Sequence, residues 1–249
     1  LPNMKSAEID ELNNKFKSIS IDDLVSFISQ SYKKVTLASS LGAEDQVLTH
    51  ILAKITSKLD VFVLDTGRLH QETYDVMEKT SANYNFKYRI IFPIKEDVQS
   101  MVSTNGPNHF YNSLENRKEC CYIRKVEPLQ RALKGYGVWF TGIRRAQSIN
   151  RALTPLFEWD DTHNLLKVNP LVFWSKDDVW SFIHDHNVPY NQLHDQGFPS
   201  IVCAPCTRAV PTGQDDRSGR WWWEEDVKKE CGLHINLNIQ EDKNDKNNN

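Results

Sequence analysis

The chain has 249 residues, 39% hydrophobic and 25% charged, with a formal net charge of -3. That is enough for one sizeable core, and it excludes a global basic field of the kind that draws in nucleic acid. No apolar run reaches the ~18 residues of a membrane span, and Leu1-Pro2-Asn3-Met4 lacks the apolar stretch of a signal peptide.

In chain order, residues 21–32 place Leu24, Val25, Phe27 and Ile28 at helical spacing. A short buried strand is expected at 35–38. It runs into the polar-glycine turn Ser39-Ser40-Leu41-Gly42-Ala43-Glu44-Asp45, and a helix follows with Val47, Leu48, Ile51, Leu52 and Ile55 on one face. A strand at 60–64 ends in Asp65-Thr66-Gly67, and a helix continues to about Tyr84. A strand at 88–92 and a helix near 96–103 come next. Strands alternating with helices predict an α/β fold with a mainly parallel sheet flanked by helices. Ligands bind such sheets at the carboxyl ends of the strands, where both glycine turns sit.

Residues 114–134 read as one long helix carrying Cys120 and Cys121. A strand at 138–141 ends in Gly142-Ile143-Arg144-Arg145. A β-ribbon is expected over 154–170, and a capping box at 175–178 opens a helix that runs to Asp185. Residues 188–220, rich in Pro, Gly and Asp, read as irregular. Residues 221–227 are expected to open a last helix. A single domain over 1–234 is expected, with the part from about 205 as a mobile catalytic segment and a disordered tail over 235–249.

The turn at 39–45 offers backbone N–H groups at a helix N-terminus, which suits a phosphate, although an ordinary βα turn explains it equally well. Asp65 and Thr66 can reach a nucleotide or simply make a turn. Arg124, Lys125, Arg144, Arg145, Arg151, Arg217 and Arg220 recur beside these segments. They read as solvated surface or as a set converging on phosphate or sulfate, for which arginine's planar fork is suited. Trp221-Trp222-Trp223 reads as core, and His184, His186 and His194 as structural.

Five cysteines stand as a vicinal pair, Cys120-Cys121, a C-x2-C, Cys203 and Cys206, and a singleton, Cys231. The odd count and the tight pairs favour a reducing, cytoplasmic setting. Successive helical side chains diverge by roughly 100°. A vicinal pair therefore shares a multi-iron cluster more easily than a single tetrahedral ion. A [4Fe-4S] cluster is preferred on this ground, and zinc stays open. Cys231 is left as a candidate nucleophile, with Lys228, Lys229, Arg217 and Arg220 close in sequence to favour the thiolate.

Taken together, Ser40-Leu41-Gly42-Ala43-Glu44-Asp45, Leu64-Asp65-Thr66-Gly67-Arg68, Cys120-Cys121-x2-Arg124-Lys125, Asp216-Arg217-Ser218-Gly219-Arg220-Trp221 and Glu230-Cys231-Gly232-Leu233-His234 resemble the assimilatory adenylyl-sulfate (APS) reductases. The resemblance covers about residues 35–234. It implies an adenine nucleotide alpha-hydrolase-like fold with a modified phosphate loop built from Ser39, Ser40, Gly42 and Asp45. That loop departs from the Ser-Gly-Gly-x-Asp-Ser form of ATP-cleaving relatives. The resemblance also implies a [4Fe-4S] cluster on Cys120, Cys121, Cys203 and Cys206, with Lys125 linking cluster and substrate. Arg151, Arg217 and Arg220 would bind the phosphosulfate, and Leu64 and Gly67 would line the adenosine site.

The implied reaction is attack by Cys231 on adenosine 5'-phosphosulfate, release of AMP, and release of sulfite from a Cys231 S-sulfonate, in sulfate assimilation and cysteine biosynthesis. The thiol donor would be thioredoxin or glutaredoxin. The sequence as given runs 18 residues past Cys231, so a fused thioredoxin-like domain is not expected. Neither nucleic acid nor membrane is expected as a partner, and a homo-oligomer stays open. The rival readings are a reductase that prefers or also accepts the 3'-phosphorylated substrate (PAPS), and a non-catalytic metal or nucleotide sensor. A tRNA-thiolating transferase is disfavoured by the altered loop and the lack of a basic field.

Overall fold

Helix and strand alternate from residue 21 to residue 105, as the periodicity predicts. The computed structural model describes residues 6–56, 60–224 and 233. In chain order it contains α1 (Ser6–Lys15), α2 (Ile21–Ser31), β1 (Val35–Ser39), α3 (Ala43–Ile55), β2 (Val61–Leu64), α4 (Gln71–Tyr84), β3 (Arg89–Ile91) and α5 (Lys95–Asn105). Then follow α6 (Leu114–Cys121), a π-helical turn (Tyr122–Val126), α7 (Glu127–Leu133), β4 (Val138–Phe140), β5 (Phe157–Asp160), β6 (Leu165–Val168) and α8 (Lys176–Asp185).

The strands form one sheet in the order β3-β2-β1-β4-β6-β5, six-stranded among the described residues. All neighbours are parallel except the β5/β6 edge pair. Strand order reverses between β1 and β4, and a crevice opens at such a switch point beyond the carboxyl ends of the strands. No helix among the described residues is long and apolar enough to cross a membrane.

Both faces of the sheet are covered, which is why the central strands are apolar runs. On one face Leu24, Val25 and Ile28 of α2, Val47, Leu48 and Ile51 of α3, and Val179 and Ile183 of α8 bury against Leu37, Phe140 and Leu166. On the other, Leu129, Ala132 and Leu133 of α7 pack on Phe62, Trp139 and Leu165. α3 is buried well beyond its apolar face, and each of its buried polar side chains makes at least one hydrogen bond, although Gln46 Oε1 and His50 Nε2 have no partner among the described residues. Gln46 donates to Thr80 Oγ1 and the Pro189 carbonyl, both at 2.6 Å. Thr49 donates to the Asp45 carbonyl at 2.7 Å, and His50 Nδ1 meets the Tyr84 hydroxyl at 2.7 Å.

Three elements differ from the sequence reading. α1 was not anticipated, because it buries no residue; Asn13 ties it to the edge strand through both the N–H and the carbonyl of Phe157. The expected long helix over 114–134 is interrupted by the π-helical turn directly after the vicinal cysteines. Residues 221–223 form a turn and no helix: Trp221 takes a left-handed φ of 43°. There its N–H bonds the Cys206 carbonyl at 3.1 Å and Thr207 bridges to Arg220. The rest of that expected helix, Cys231 and the expected tail over 235–249 lie outside the described residues.

The β1 and β4 loops meet with no room to spare. A Cβ on Gly142 would come within 2.4 Å of Asp45 Oδ1 and 2.9 Å of Glu44 Cβ. Gly142→Ala is expected to lower stability by about 1–3 kcal/mol through overpacking, read as a fall in the urea midpoint at unchanged slope.

Candidate active site

The crevice at the switch point is an open cleft. Its walls come from the ends of β1, β2 and β4, from the π-helical turn, and from residues 194–202 and 216–220. Ser39, Ser40, Gly42, Asp45, Leu64, Lys125, Arg151, Arg217 and Arg220, all singled out from sequence, line this one space. Gly67 does not: it turns the chain after β2 with φ 71°, its N–H donating to Asp65 Oδ1 at 2.8 Å.

The β1 loop is held by its own side chains. Ser39 Oγ accepts from Leu41 N at 3.1 Å, and Asp45 Oδ2 accepts from Ser40 N at 2.6 Å and Ser40 Oγ at 2.7 Å. Leu41 is driven into a left-handed φ of 61° while fully buried. Strain of this kind collects at ligand sites. Gly42 precedes α3 without a side-chain cap, so the first-turn N–H groups of a thirteen-residue helix face the cleft wall.

Two carboxylates sit at this anion-favouring end, and each is dealt with locally. Glu44 pairs with buried Arg144 at 2.8 Å and accepts from Gln147 at 3.0 Å. Gln147 in turn receives a hydrogen bond from Arg151 and one from Arg144 N at 3.1 Å. Burial pushes the Asp45 carboxyl up from 3.8 to about 6, against the two Ser40 bonds and the positive charge of Arg151, while Glu44 adds to the rise. His194, read as structural from sequence, also lines the cleft. Its Nδ1 meets the Phe198 carbonyl at 2.8 Å, and its Nε2 is buried without a partner among the described residues. His184 and His186 stack instead on Trp180 and Phe182.

Beside the cleft lies a second, smaller cavity, and Cys120, Cys121, Cys203 and Cys206 all line it. The vicinal pair arrives at the end of α6, and the C-x2-C arrives on a short 3-10 turn, Ala204–Cys206. That turn is pinned to the β2 loop by Ala204 N bonding the Arg68 carbonyl at 2.8 Å and by Thr66 Oγ1 lying 3.3 Å from Cys203 Sγ. Arg68, Arg117, Arg124 and Lys125 complete the wall. Burial raises the Cys120 thiol, with Arg124 opposing. Burial raises Cys206 further, helped by Cys203 and opposed by Lys125.

All four cysteines are free thiols, and no three described His, Cys, Asp or Glu side chains are placed to hold a metal ion. Four thiols spaced around one cavity wall among cations fit a multi-metal anionic cluster better than a single tetrahedral ion. Lys125 and Val202 line both cavities, so the lysine stands in the wall between them. Cys231 lies outside the described residues; Leu233, two positions on, lines the cleft. Sequence reasoning missed Arg117 and Gln147. Arg117 sits four residues before Cys121, a helical neighbour spacing that could have flagged it.

Residues 34–209 match the family described as phosphoadenosine phosphosulfate reductase domain. An adenosine 5'-phosphosulfate reductase from Allochromatium vinosum is 47% identical over 85% of this chain and 83% of its own length. One from Burkholderia cepacia is 46% identical over 86% of each. Among solved structures, a phosphoadenylyl-sulfate (PAPS) reductase from Candida auris, in a phosphate complex, superposes with a TM-score of 0.72. It is 26% identical and the match covers 83% of this chain and 98% of that one.

A raised carboxyl pKa means that the folded state holds the proton more tightly than the unfolded chain. Asp45 therefore stabilises the fold below 3.8, and this contribution is lost as pH rises through about 6. The stability difference between the wild type and Asp45→Asn is expected to shift toward the wild type as pH falls across that window. Urea midpoints of both proteins at several pH values check it.

Proposed function

From the premise that this chain belongs to the phosphoadenosine phosphosulfate reductase domain family, we propose that it reduces adenosine 5'-phosphosulfate to sulfite and AMP. Relatives covering most of the chain are named reductases of that substrate, and they are oxidoreductases acting on a sulfur group. The observation that carries the reading is the shared wall: an arginine-lined cleft at the switch point meets a four-cysteine cavity at Lys125.

The nucleotide would sit in the cleft, its adenosine toward Leu64 and its phosphate against the β1 loop and the N-terminus of α3. Lys125, Arg151, Arg217 and Arg220 would hold the phosphosulfate and neutralise charge that grows on the leaving phosphate oxygen. The Cys231 thiolate attacks the sulfate sulfur. The S–S bond forms, the S–O bond to phosphate breaks, and AMP leaves with the electron pair. This yields a Cys231 S-sulfonate. A thiolate of an external dithiol protein, thioredoxin or glutaredoxin, then attacks Cys231 Sγ. Sulfite departs with the S–S pair, and the second thiol of the donor resolves the mixed disulfide. Two electrons thus pass from the dithiol to sulfur.

Cys120, Cys121, Cys203 and Cys206 are the residues that would hold a [4Fe-4S] cluster. When bound, such a cluster would supply fixed negative charge beside Lys125, which stands between it and the cleft. The setting is cytoplasmic sulfate assimilation feeding cysteine biosynthesis, where thiols stay reduced.

Mass spectrometry of anaerobic protein mixed with substrate is expected to report one SO3 group on Cys231, and Cys231→Ser to release no sulfite. Sulfite release by Cys231→Ser at the wild-type rate would sink the mechanism. Running APS against PAPS in the same assay decides between the two nucleotides. Arg217→Ala is expected to lower kcat/KM by roughly 10²–10³-fold, the size seen when one transition-state donor is removed. Cys206→Ser is expected to lose iron, measured by metal analysis.

A further inference from the structure

Glu224 stands seven residues before Cys231 in the sequence, at the entry to the stretch that carries it. Arg117 grips its carboxylate at both oxygens, Nε to Oε1 and Nη2 to Oε2, each at 2.8 Å. The two side chains are only 1% and 7% exposed. Neither lines the substrate cleft. Arg117 does line the four-cysteine cavity, and it also donates to the Cys121 sulfur. Its guanidinium lies 4.6 Å from the Trp221 ring, and Glu224 N returns to the Trp221 carbonyl at 2.9 Å.

One arginine therefore touches a cysteine of the cavity and the root of the catalytic segment at once. Burying two charges is expensive. It gains little over an apolar pair unless the geometry itself is needed, and a bidentate fork is the arrangement that fixes geometry best. An apolar pair would close this space without setting the direction in which the chain leaves residue 224.

We propose that Arg117 and Glu224 are positioning residues: their ion pair fixes the root of the Cys231 segment to the cysteine-bearing helix, so that the thiol is delivered to the cleft from one place. The proposal rests on the reading of Cys231 as nucleophile. It assigns the pair to the sulfur-transfer step and to neither substrate affinity nor holding of iron.

The test uses the iron-loaded full chain with Glu224→Gln, Glu224→Asp and Arg117→Lys. Four quantities are measured: the single-turnover rate of S-sulfonate formation at saturating APS, AMP affinity, iron content, and the rate of proteolysis beyond residue 224. Glu224→Gln and Arg117→Lys are expected to slow the transfer by roughly 10- to 100-fold, the scale of an ångström-level misplacement. AMP affinity and iron content stay at wild-type values, cleavage beyond 224 speeds up, and Glu224→Asp, which keeps the charge, recovers part of the rate. Should a single variant fail to fold, Arg117→Gln/Glu224→Gln, which leaves no buried charge unpaired, carries the same expectation. A wild-type transfer rate in Glu224→Gln overturns the proposal, as does a rate loss that tracks lost iron or lost AMP binding. If the wild type itself forms no S-sulfonate, the functional reading fails instead; faster cleavage beyond 224 in the variants then still supports the anchor, and unchanged cleavage overturns it.

Discussion

Lys125 stands in the wall between two spaces built for negative charge, and the backbone has to hold it there. In an uninterrupted α-helix Cys121 and Lys125 would be i,i+4 neighbours on one face. The π-helical turn over Tyr122–Val126 widens the helix between them. The lysine then reaches both cavities, while Arg124 stays buried with its guanidinium on the Thr66 carbonyl at 2.6 Å. Both cysteines still line the smaller cavity. The local irregularity is thus what lets one short stretch face the four-cysteine cavity on one side and the arginine-lined cleft on the other.

The same constraint explains how a chain of net charge -3 keeps a cationic cleft. Five cationic side chains line it against three carboxylates. Glu44 is tied to Arg144 at 2.8 Å, Asp216 to Lys176 at 2.9 Å, and Asp45 is turned onto Ser40, from whose N–H and hydroxyl it accepts at 2.6 and 2.7 Å. Carboxylates in the first turn of a helix normally favour the helix and oppose an anion. Here each carboxylate is paired or hydrogen-bonded locally, which offsets part of that opposition, and the cations outnumber the carboxylates in the cleft wall.

The parallel sheet was legible from sequence because strands buried on both faces read as apolar runs, and the glycine turns marked their carboxyl ends. The loop residues Ser39, Ser40, Gly42 and Asp45 were legible as a turn at a strand end, whereas Lys125, Arg151, Arg217 and Arg220 were assigned through the resemblance to the APS reductases. What stayed hidden depends on contacts between distant segments. α1 has no apolar stripe and is fixed by one asparagine on an edge strand. The π-helical turn has no composition of its own. His194 lies in an irregular stretch whose path is set by its hydrogen bonds and by the aromatic shelf around Trp180. Arg117 reads as a surface charge on a helix until its partner, 107 residues on, is known.

Trp221 shows the same conflict between local pattern and tertiary packing, with a definite winner. Three consecutive tryptophans before a charged stretch suggest a helix start, yet Trp221 adopts φ 43°. A left-handed non-glycine residue costs on the order of 1–2 kcal/mol. The ring is 1% exposed, with Arg117 and Arg220 guanidinium carbons 4.6 and 4.8 Å from its centroid. Burying an indole of roughly 200 Å2 contributes about 5 kcal/mol before any cation–π term. Burial wins, and the chain turns where a helix would have carried the indole elsewhere. Gly219 makes the turn feasible, since a Cβ there would lie 2.3 Å from the Arg208 carbonyl oxygen. The direction in which the chain approaches residue 225 is therefore set by a ring locked against the cysteine cavity rather than by helix geometry.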